Sequence, residues 1–398
     1  MNAPRVTGAE LRSALARGGG VLPALPAIVY RDTYSGRGVI ADNTSWDSRA
    51  ADDRGYLPVE WWIMSLVAAE NNEPREGEGI TRLLVGGRGV PLPEVHRAAP
   101  ELFGEAYRRW PLIKLLDIGG EPVTPDFSSG PEVPPIPVHV HGGSVRAGRL
   151  VGPGKHEAYF FPPLDVRGID LRDAAVTRLG IRPEVSRDRF REAVEGFGRS
   201  DRAFSLLNEF PVEPYGGWDI RAGIVHAPGP WPTVEVQTPQ DDYNLLSWQL
   251  GRRLDSGERK RAFERFVLRG LSSVDELLDR VVDWEGSTAA DFAARAARPA
   301  RLIEEAGWGR RYRTFSGRFS GELLAIEPAR TLELSASGEP FALAVWAGEG
   351  RVGAIEARGG IGPGAEFLVA PGHAVRIETG AASPLWLLSF SPMRDAAG

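Results

Sequence analysis

The sequence predicts a mainly β protein built from two barrel-like, jelly-roll domains with helical insertions, and three observations carry that reading. Short apolar runs bounded by glycine and proline recur along most of the chain. The 48 glycines and 32 prolines among 398 residues exceed the usual share of roughly 12% for the pair and follow no period, which suits many tight turns between short strands. A stretch from Asp255 to Ala306 breaks this pattern with apolar residues at three- and four-residue intervals. Strand-like runs then resume from Phe315 onward. The expected organisation is a first domain over 1–250 with a helical insertion at about 168–212, a helical segment over 251–310, and a second barrel over 311–398.

Taken in order, Pro26-Ala-Ile-Val-Tyr30 and Thr81-Arg-Leu-Leu-Val85 read as strands between Gly and Pro punctuation. Between them, Glu60-Trp-Trp-Ile-Met-Ser65 fits either a buried aromatic strand or a short helix. Trp110-Pro-Leu-Ile-Lys-Leu-Leu-Asp117 is an apolar strand that encloses Lys114; a buried ammonium needs a partner or a task, unless it snorkels from an edge. Residues 119–137 are Pro-rich and loop-like and lead into Val138-His-Val-His141. Ser186 caps a helix that places Phe190 and Val194 four apart. Strands return at Trp218-Asp-Ile-Arg-Ala-Gly-Ile-Val-His226 and Thr233-Val-Glu-Val-Gln237. In the latter, Glu235 and Gln237 share one face, either a barrel interior or a solvent face. From 255 to 306, Phe263, Phe266, Val267 and Leu271, then Leu277, Leu278, Val281 and Val282, mark helices with charge on their other faces. The closing strands, such as Phe341-Ala-Leu-Ala-Val-Trp346, carry only His373 and no His-x-His, so this barrel is expected to bind no metal.

The chemistry concentrates in one region, because four of the six histidines lie between 139 and 226. Side chains two apart on a strand share a face, so His139 and His141 can present two imidazoles to one point, with Glu157 and His226 reaching it from neighbouring strands. Three nitrogens and one carboxylate oxygen suit one divalent ion, zinc first, with manganese, iron, cobalt or nickel compatible. Histidines packed in a barrel wall are the plainer alternative. Lys155 lies two residues before Glu157 and projects to the same side, where a neighbouring cation would ease loss of its proton. His156 points oppositely.

Bulk properties narrow the partners. A formal charge of -6 with scattered basic residues argues against a nucleic-acid footprint. Neither a signal-like start nor a run of about 18 apolar residues occurs, so a cytoplasmic protein acting on a small molecule is expected. With no cysteine, any metal must be held by nitrogen and oxygen. The oligomeric state is not legible.

Six elements in order resemble the type I phosphomannose isomerases of the cupin superfamily. Glu60-Trp-Trp-Ile-Met-Ser65 is similar to that family's Glu-x-Trp-x-x-Ser, and Trp110–Asp117 to its Phe-Pro-Leu-Leu-x-Lys-x-Leu-Asp strand. Val138–His141 falls at its Gln-x-His-Pro, Gly154-Lys-His-Glu157 at its Gly-Lys-x-Glu, and Arg221–Gly229 at its Pro-Ala-Gly-Thr-x-His-Ala-x-Gly. Glu235-Val-Gln237 follows, with Asp241 beyond. The resemblance covers roughly residues 55 to 250, the tail fitting the family's second cupin more loosely. It implies a double cupin and a metal-dependent aldose–ketose isomerase acting on a sugar or sugar phosphate. It makes His139 the replacement for the family's Gln as first metal ligand, with His141, Glu157 and His226 the others. It places Lys155 as acid/base, Lys114 and Asp241 around the substrate, and Glu235 close to the metal.

Two departures bear on the substrate. Pro137 stands where the family has a Ser that helps hold the sugar phosphate, and Asn244 stands where it has an Arg. Losing a hydroxyl and a guanidinium together removes much of what recognises phosphate, unless Arg252 or Arg253 substitutes. A cupin dioxygenase with the same ligand set, and a non-catalytic sugar-binding cupin, are the rival readings.

Overall fold

The computed structural model describes residues 6–34, 36, 51–71, 73–120, 135–146, 149–151, 154–169, 175–248, 254–336 and 338–394. Among these residues, four large antiparallel sheets and a two-stranded one, Ser144–Arg146 with Arg149–Val151, form the fold, and each large sheet is explained by which alternate residues it must bury.

The first barrel has a six-stranded sheet in the order Gly217–Ile220, Glu157–Phe160, Thr233–Gln237, Leu112–Leu116, Leu57–Ile63, Ala27–Arg31. Against it stands a five-stranded sheet, Leu207–Pro211, Val176–Ile181, His226–Ala227, His139–Val140, Asn244–Leu245. The second barrel joins a nine-stranded sheet to a four-stranded one, both drawn largely from residues 301–391. The nine-stranded sheet also takes in Val21–Leu25, Arg82–Val85 and Arg88–Pro91 from the front of the chain. Val21 pairs with Val369 and Ala24 with Leu83, so strands from the front of the chain extend the sheet of the second barrel.

Residue period two decides the layering. On Phe341–Ala347, Phe341, Leu343 and Val345 enter the core of the second barrel, while Ala342, Ala344 and Trp346 enter the core between the barrels. Ser320–Ile326 divides likewise, Leu324 and Ile326 inward and Leu323 and Ala325 toward the first barrel. A sheet buried on both faces needs such uninterrupted apolar runs. The six-stranded sheet meets it with Trp61, Ile63, Ile113, Leu115, Ala158, Phe160, Val234 and Val236. The alternate positions, Glu60, Lys114, Glu157, Tyr159 and Glu235, are therefore turned into the first barrel.

The helical segment packs behind the five-stranded sheet. Val138, Val140, Val225 and Ala227 share a core with Phe190, Val194, Val267, Leu277, Leu278 and Val281. These helices brace the sheet that carries the histidines on the side away from its cavity.

Glu60-Trp-Trp-Ile-Met-Ser65 resolves as strand through Ile63. Elsewhere the structure corrects two expectations about element type. The stretch 168–212 holds one described α-helix, Arg187–Glu195, between strands Val176–Ile181 and Leu207–Pro211, because the first of these completes the sheet beside His226. The helical segment ends at Phe292–Ala296, and Arg301–Ala306 is a strand paired with Gly309–Phe315. Arg252 and Arg253 lie outside the described residues.

Candidate active site

Every site residue expected from the sequence lies within the first barrel, and strand register does the placing. Glu235 is opposite Lys114 on one side and Tyr159 on the other. Glu157 is opposite Gln237, and His226 is opposite His139. Two glycines allow the close approaches. A side chain on Gly154 would bring its Cβ within 2.2 Å of the His141 carbonyl oxygen. Gly223, at φ +86°, makes the turn before His226 and donates its N–H to that same oxygen at 3.1 Å.

The three imidazoles are oriented by one repeated device. His139 Nδ1 lies 2.7 Å from the Pro137 oxygen, His141 Nδ1 2.5 Å from that of Asp242, and His226 Nδ1 2.8 Å from that of Ile224. A carbonyl can only accept, so each Nδ1 carries a proton, which leaves Nε2 of a neutral ring with a free lone pair. One ring nitrogen from each of the three lies within 4.8 Å of the others. Glu157 joins them, with Oε2 3.2 Å from His141 Nε2 and Oε1 2.9 Å from His226 Nε2. Lone pairs facing a carboxylate at these distances repel, and His141 Nε2 and His226 Nε2 are buried without hydrogen-bond partners. A cation is what such a donor set lacks. The residues thus fit a bound metal ion, with the Nδ1–carbonyl bonds fixing ring orientation as in known metal sites. Burial, reinforced by His226 and His141, holds His139 well below the ordinary imidazole range. Burial and then Lys155 bring His141 down to about 4.

A second carboxylate–cation network adjoins the first. Lys155 Nζ lies 2.7 Å from Glu157 Oε2, 3.3 Å from Glu235 and 3.0 Å from Gln237 Oε1. Burial disfavours the Lys155 ammonium, but Glu157 and then Glu235 outweigh it and raise its pKa. Burial likewise opposes ionisation of Glu157, and the Lys155 ammonium outweighs it. Lys114 is buried rather than snorkelling, 3.3 Å from Asp241, 3.8 Å from Glu60 and 3.9 Å from Glu235. Glu235 is pushed up by burial, which Lys155 opposes and Glu157 reinforces.

Arg31, Tyr34, Tyr159 and Gln237 complete the arrangement without having been singled out from the sequence as site residues. Arg31 bridges Glu60 (2.7 Å) and Asp241 (3.0 Å), and Tyr34 donates to Glu60 at 3.1 Å. Tyr159 donates its hydroxyl to Glu157 Oε1 at 2.5 Å. A buried Glu60 in an aromatic strand was the available signal for Arg31, since such a group requires a cation. His156 points away, pairing with Asp219 at 2.6 Å.

These groups surround a cavity with an empty volume of about 520 Å³, open solvent at its mouth included, walled also by Leu116, Ile136, Pro137, Tyr243 and Leu245. It holds a metal-capable cluster at one side and alternating cations and carboxylates beside it.

Compared with the profiles of known protein families and with curated proteins, the sequence matches none. Comparison of structures is decisive about architecture. The mannose 6-phosphate isomerase of Bacillus subtilis superposes with a TM-score of 0.58 at 17% identity, over 93% of this chain and 99% of its own. An Archaeoglobus fulgidus protein assigned as a mannosephosphate isomerase gives 0.58 at 14% identity, over 94% and 97%. This chain has the mannose-6-phosphate isomerase fold. A zinc-bound mannose 6-phosphate isomerase shares that fold at a TM-score of 0.56 and 11% identity, over 94% of this chain and all of its own. The mannose-6-phosphate isomerase fold agrees with the double cupin expected from the sequence. At these identities the likeness concerns architecture. Among the described residues, no helix is long and apolar enough to cross a membrane.

Proposed function

We propose that this protein is a metal-dependent isomerase that interconverts an aldose and a ketose, with the ion, zinc first, held by His139, His141, Glu157 and His226. One observation carries the reading. Three buried imidazoles gather their ring nitrogens within 4.8 Å of one another, two of them, His141 and His226, facing the buried Glu157 carboxylate, at the side of a pocket that also holds paired lysines and carboxylates.

Aldose–ketose interconversion moves a proton between adjacent carbons through a cis-enediol, which needs a base, an acid and stabilisation of an oxyanion. A divalent ion bound at the cluster would supply the last as a Lewis acid. The chain supplies the rest. Glu235, raised by burial and set between two lysines, suits proton abstraction. Lys155, held as an ammonium, suits proton donation to a sugar oxygen. Lys114 and Asp241 face the same space and suit orientation of hydroxyl groups. The resemblance read from the sequence and the shared fold both point this way.

The test is solvent exchange. Metal-loaded protein is incubated in deuterated water with manno- and fructo-configured sugars, with and without a 6-phosphate. Deuterium at C1 or C2 of recovered sugar, abolished by a chelator and restored by zinc, is the expected outcome. Absence of exchange with every sugar rejects the isomerase reading. Oxygen consumption in its place would favour an oxidising cupin.

A further inference from the structure

We infer that this pocket takes an uncharged sugar rather than a sugar phosphate; the inference rests on the isomerase reading and names the substrate class of that same site. A phosphate needs donors not already engaged, ideally guanidinium or ammonium groups. Three described cations line the cavity, and each is already held by carboxylates. Arg31 is divided between Glu60 and Asp241, Lys114 contacts Asp241 most closely, and Lys155 lies between Glu157 and Glu235.

The wall opposite offers no replacement among the described residues. Pro137 contributes its ring and its carbonyl, and that carbonyl is committed to His139. Asn244 pairs with Val140, and its Nδ2 donates to the Val267 carbonyl at 2.8 Å, so this amide serves the helical core behind the sheet. Its neighbours Tyr243 and Leu245 line the cavity instead. Thr33 and Tyr243 also line the cavity, and Tyr34, whose hydroxyl proton goes to Glu60, keeps its oxygen as an acceptor, all between apolar surfaces, a lining that suits hydroxyl-bearing carbon chains and gives a dianion little to bind.

Calorimetric titration of the full-length, zinc-loaded protein tests this with mannose, fructose, their 6-phosphates and inorganic phosphate. The uncharged sugars are expected to bind, the 6-phosphates to bind no tighter, and inorganic phosphate not to displace a bound sugar. Binding of a 6-phosphate about tenfold tighter than its parent sugar, or displacement by inorganic phosphate, overturns the inference. So does a failure of the uncharged sugars to bind. The exchange experiment keeps the two claims apart. Deuterium entering only 6-phosphates rejects the uncharged substrate and leaves the isomerase standing, whereas binding of uncharged sugars without any exchange does the reverse. Asp241→Asn gives an independent readout. It releases Arg31 and Lys114 from their shared carboxylate and is expected to create measurable affinity for inorganic phosphate where the wild type has none; an unchanged phosphate response argues that those cations were not restrained by Asp241 and overturns the account.

Discussion

At the scale of single residues, the site holds its side chains from behind and leaves two imidazole nitrogens, His141 Nε2 and His226 Nε2, facing a carboxylate without a hydrogen-bond partner. Tyr159 shows how finely that is set, because its hydroxyl holds the Glu157 oxygen that also lies nearest His226. Burial, reinforced by Glu157, raises the Tyr159 phenol well above its ordinary range, so it remains a donor throughout the working pH range. Removing that hydroxyl in Tyr159→Phe frees the carboxylate to rotate, and a loss of roughly 10–100-fold in zinc affinity is expected, read by competition with a chromophoric chelator. An unchanged affinity would mean that the Tyr159 hydroxyl does not set the position of Glu157, which Lys155 also holds. The imidazoles make a separate prediction for the metal-free protein. His141 has a folded pKa of about 4, below the unfolded value of 6.5. The unfolded chain therefore binds more protons in that interval, and stability falls as pH drops from 6.5 toward 4. Thermal melts of chelated protein across that range should show the decline, and added zinc should oppose it at the upper end.

At the scale of elements, strand periodicity explains most of what was legible in advance. His139 and His141 share a face because they are two apart, and the same count links Lys155 to Glu157 and Glu235 to Gln237. Counting once more reaches Tyr159, which shows that the pattern held information beyond the charged residues. Arg31 was hidden for a different reason: it ends the strand Ala27–Arg31, and its carboxylate partners Glu60 and Asp241 are distant in sequence. The strands Val176–Ile181 and Leu207–Pro211 were read within a helical insertion because the Ser186-capped helix between them gives the stronger local signal. Glycine spacing also proves informative at this scale. Gly154 lets the strand bearing Glu157 pass against the His141 carbonyl, where a Cβ would sit only 2.2 Å away. Gly154→Ala must push the two ligand-bearing segments apart, and a loss of about 1–3 kcal/mol in stability is expected, together with weaker zinc binding. Denaturant titration and metal content measured on the same preparation check both parts, and a variant that matches wild type in both would show that this contact is not limiting.

At the scale of the whole molecule, the two barrels are joined by strands that the front of the chain lends to the second barrel, by a common apolar core and by one buried carboxyl group. Glu366 projects from the second barrel, where one oxygen accepts from the Trp61 indole at 3.0 Å and the other from the Met64 backbone N–H. Trp61 belongs to the strand that also carries Glu60 and Trp62, so this group fixes the strand that floors the pocket. Burial raises the Glu366 pKa to about 8, against the donors from Met64, Trp61 and Thr81 that favour its ionised form. The sign of the consequence follows from linkage. With a folded pKa above the unfolded value of 4.5, the native protein binds the extra proton, so this group's contribution is complete below 4.5 and is lost as pH rises toward 8. The slope from this one group approaches roughly 1 kcal/mol per pH unit within that window. Glu366→Gln removes the titration but sets an amide NH₂ against one of the two N–H donors, so the variant is expected to be less stable at pH 5 by about 1–3 kcal/mol. Its stability should change less than that of the wild type between pH 5 and 8, because the difference between the two proteins narrows as Glu366 ionises. Guanidinium midpoints at pH 5, 6.5 and 8 for both proteins decide the matter. Parallel pH profiles would show that Glu366 titrates alike in the folded and unfolded chains, and that the barrels are held by their apolar core without a proton-dependent joint.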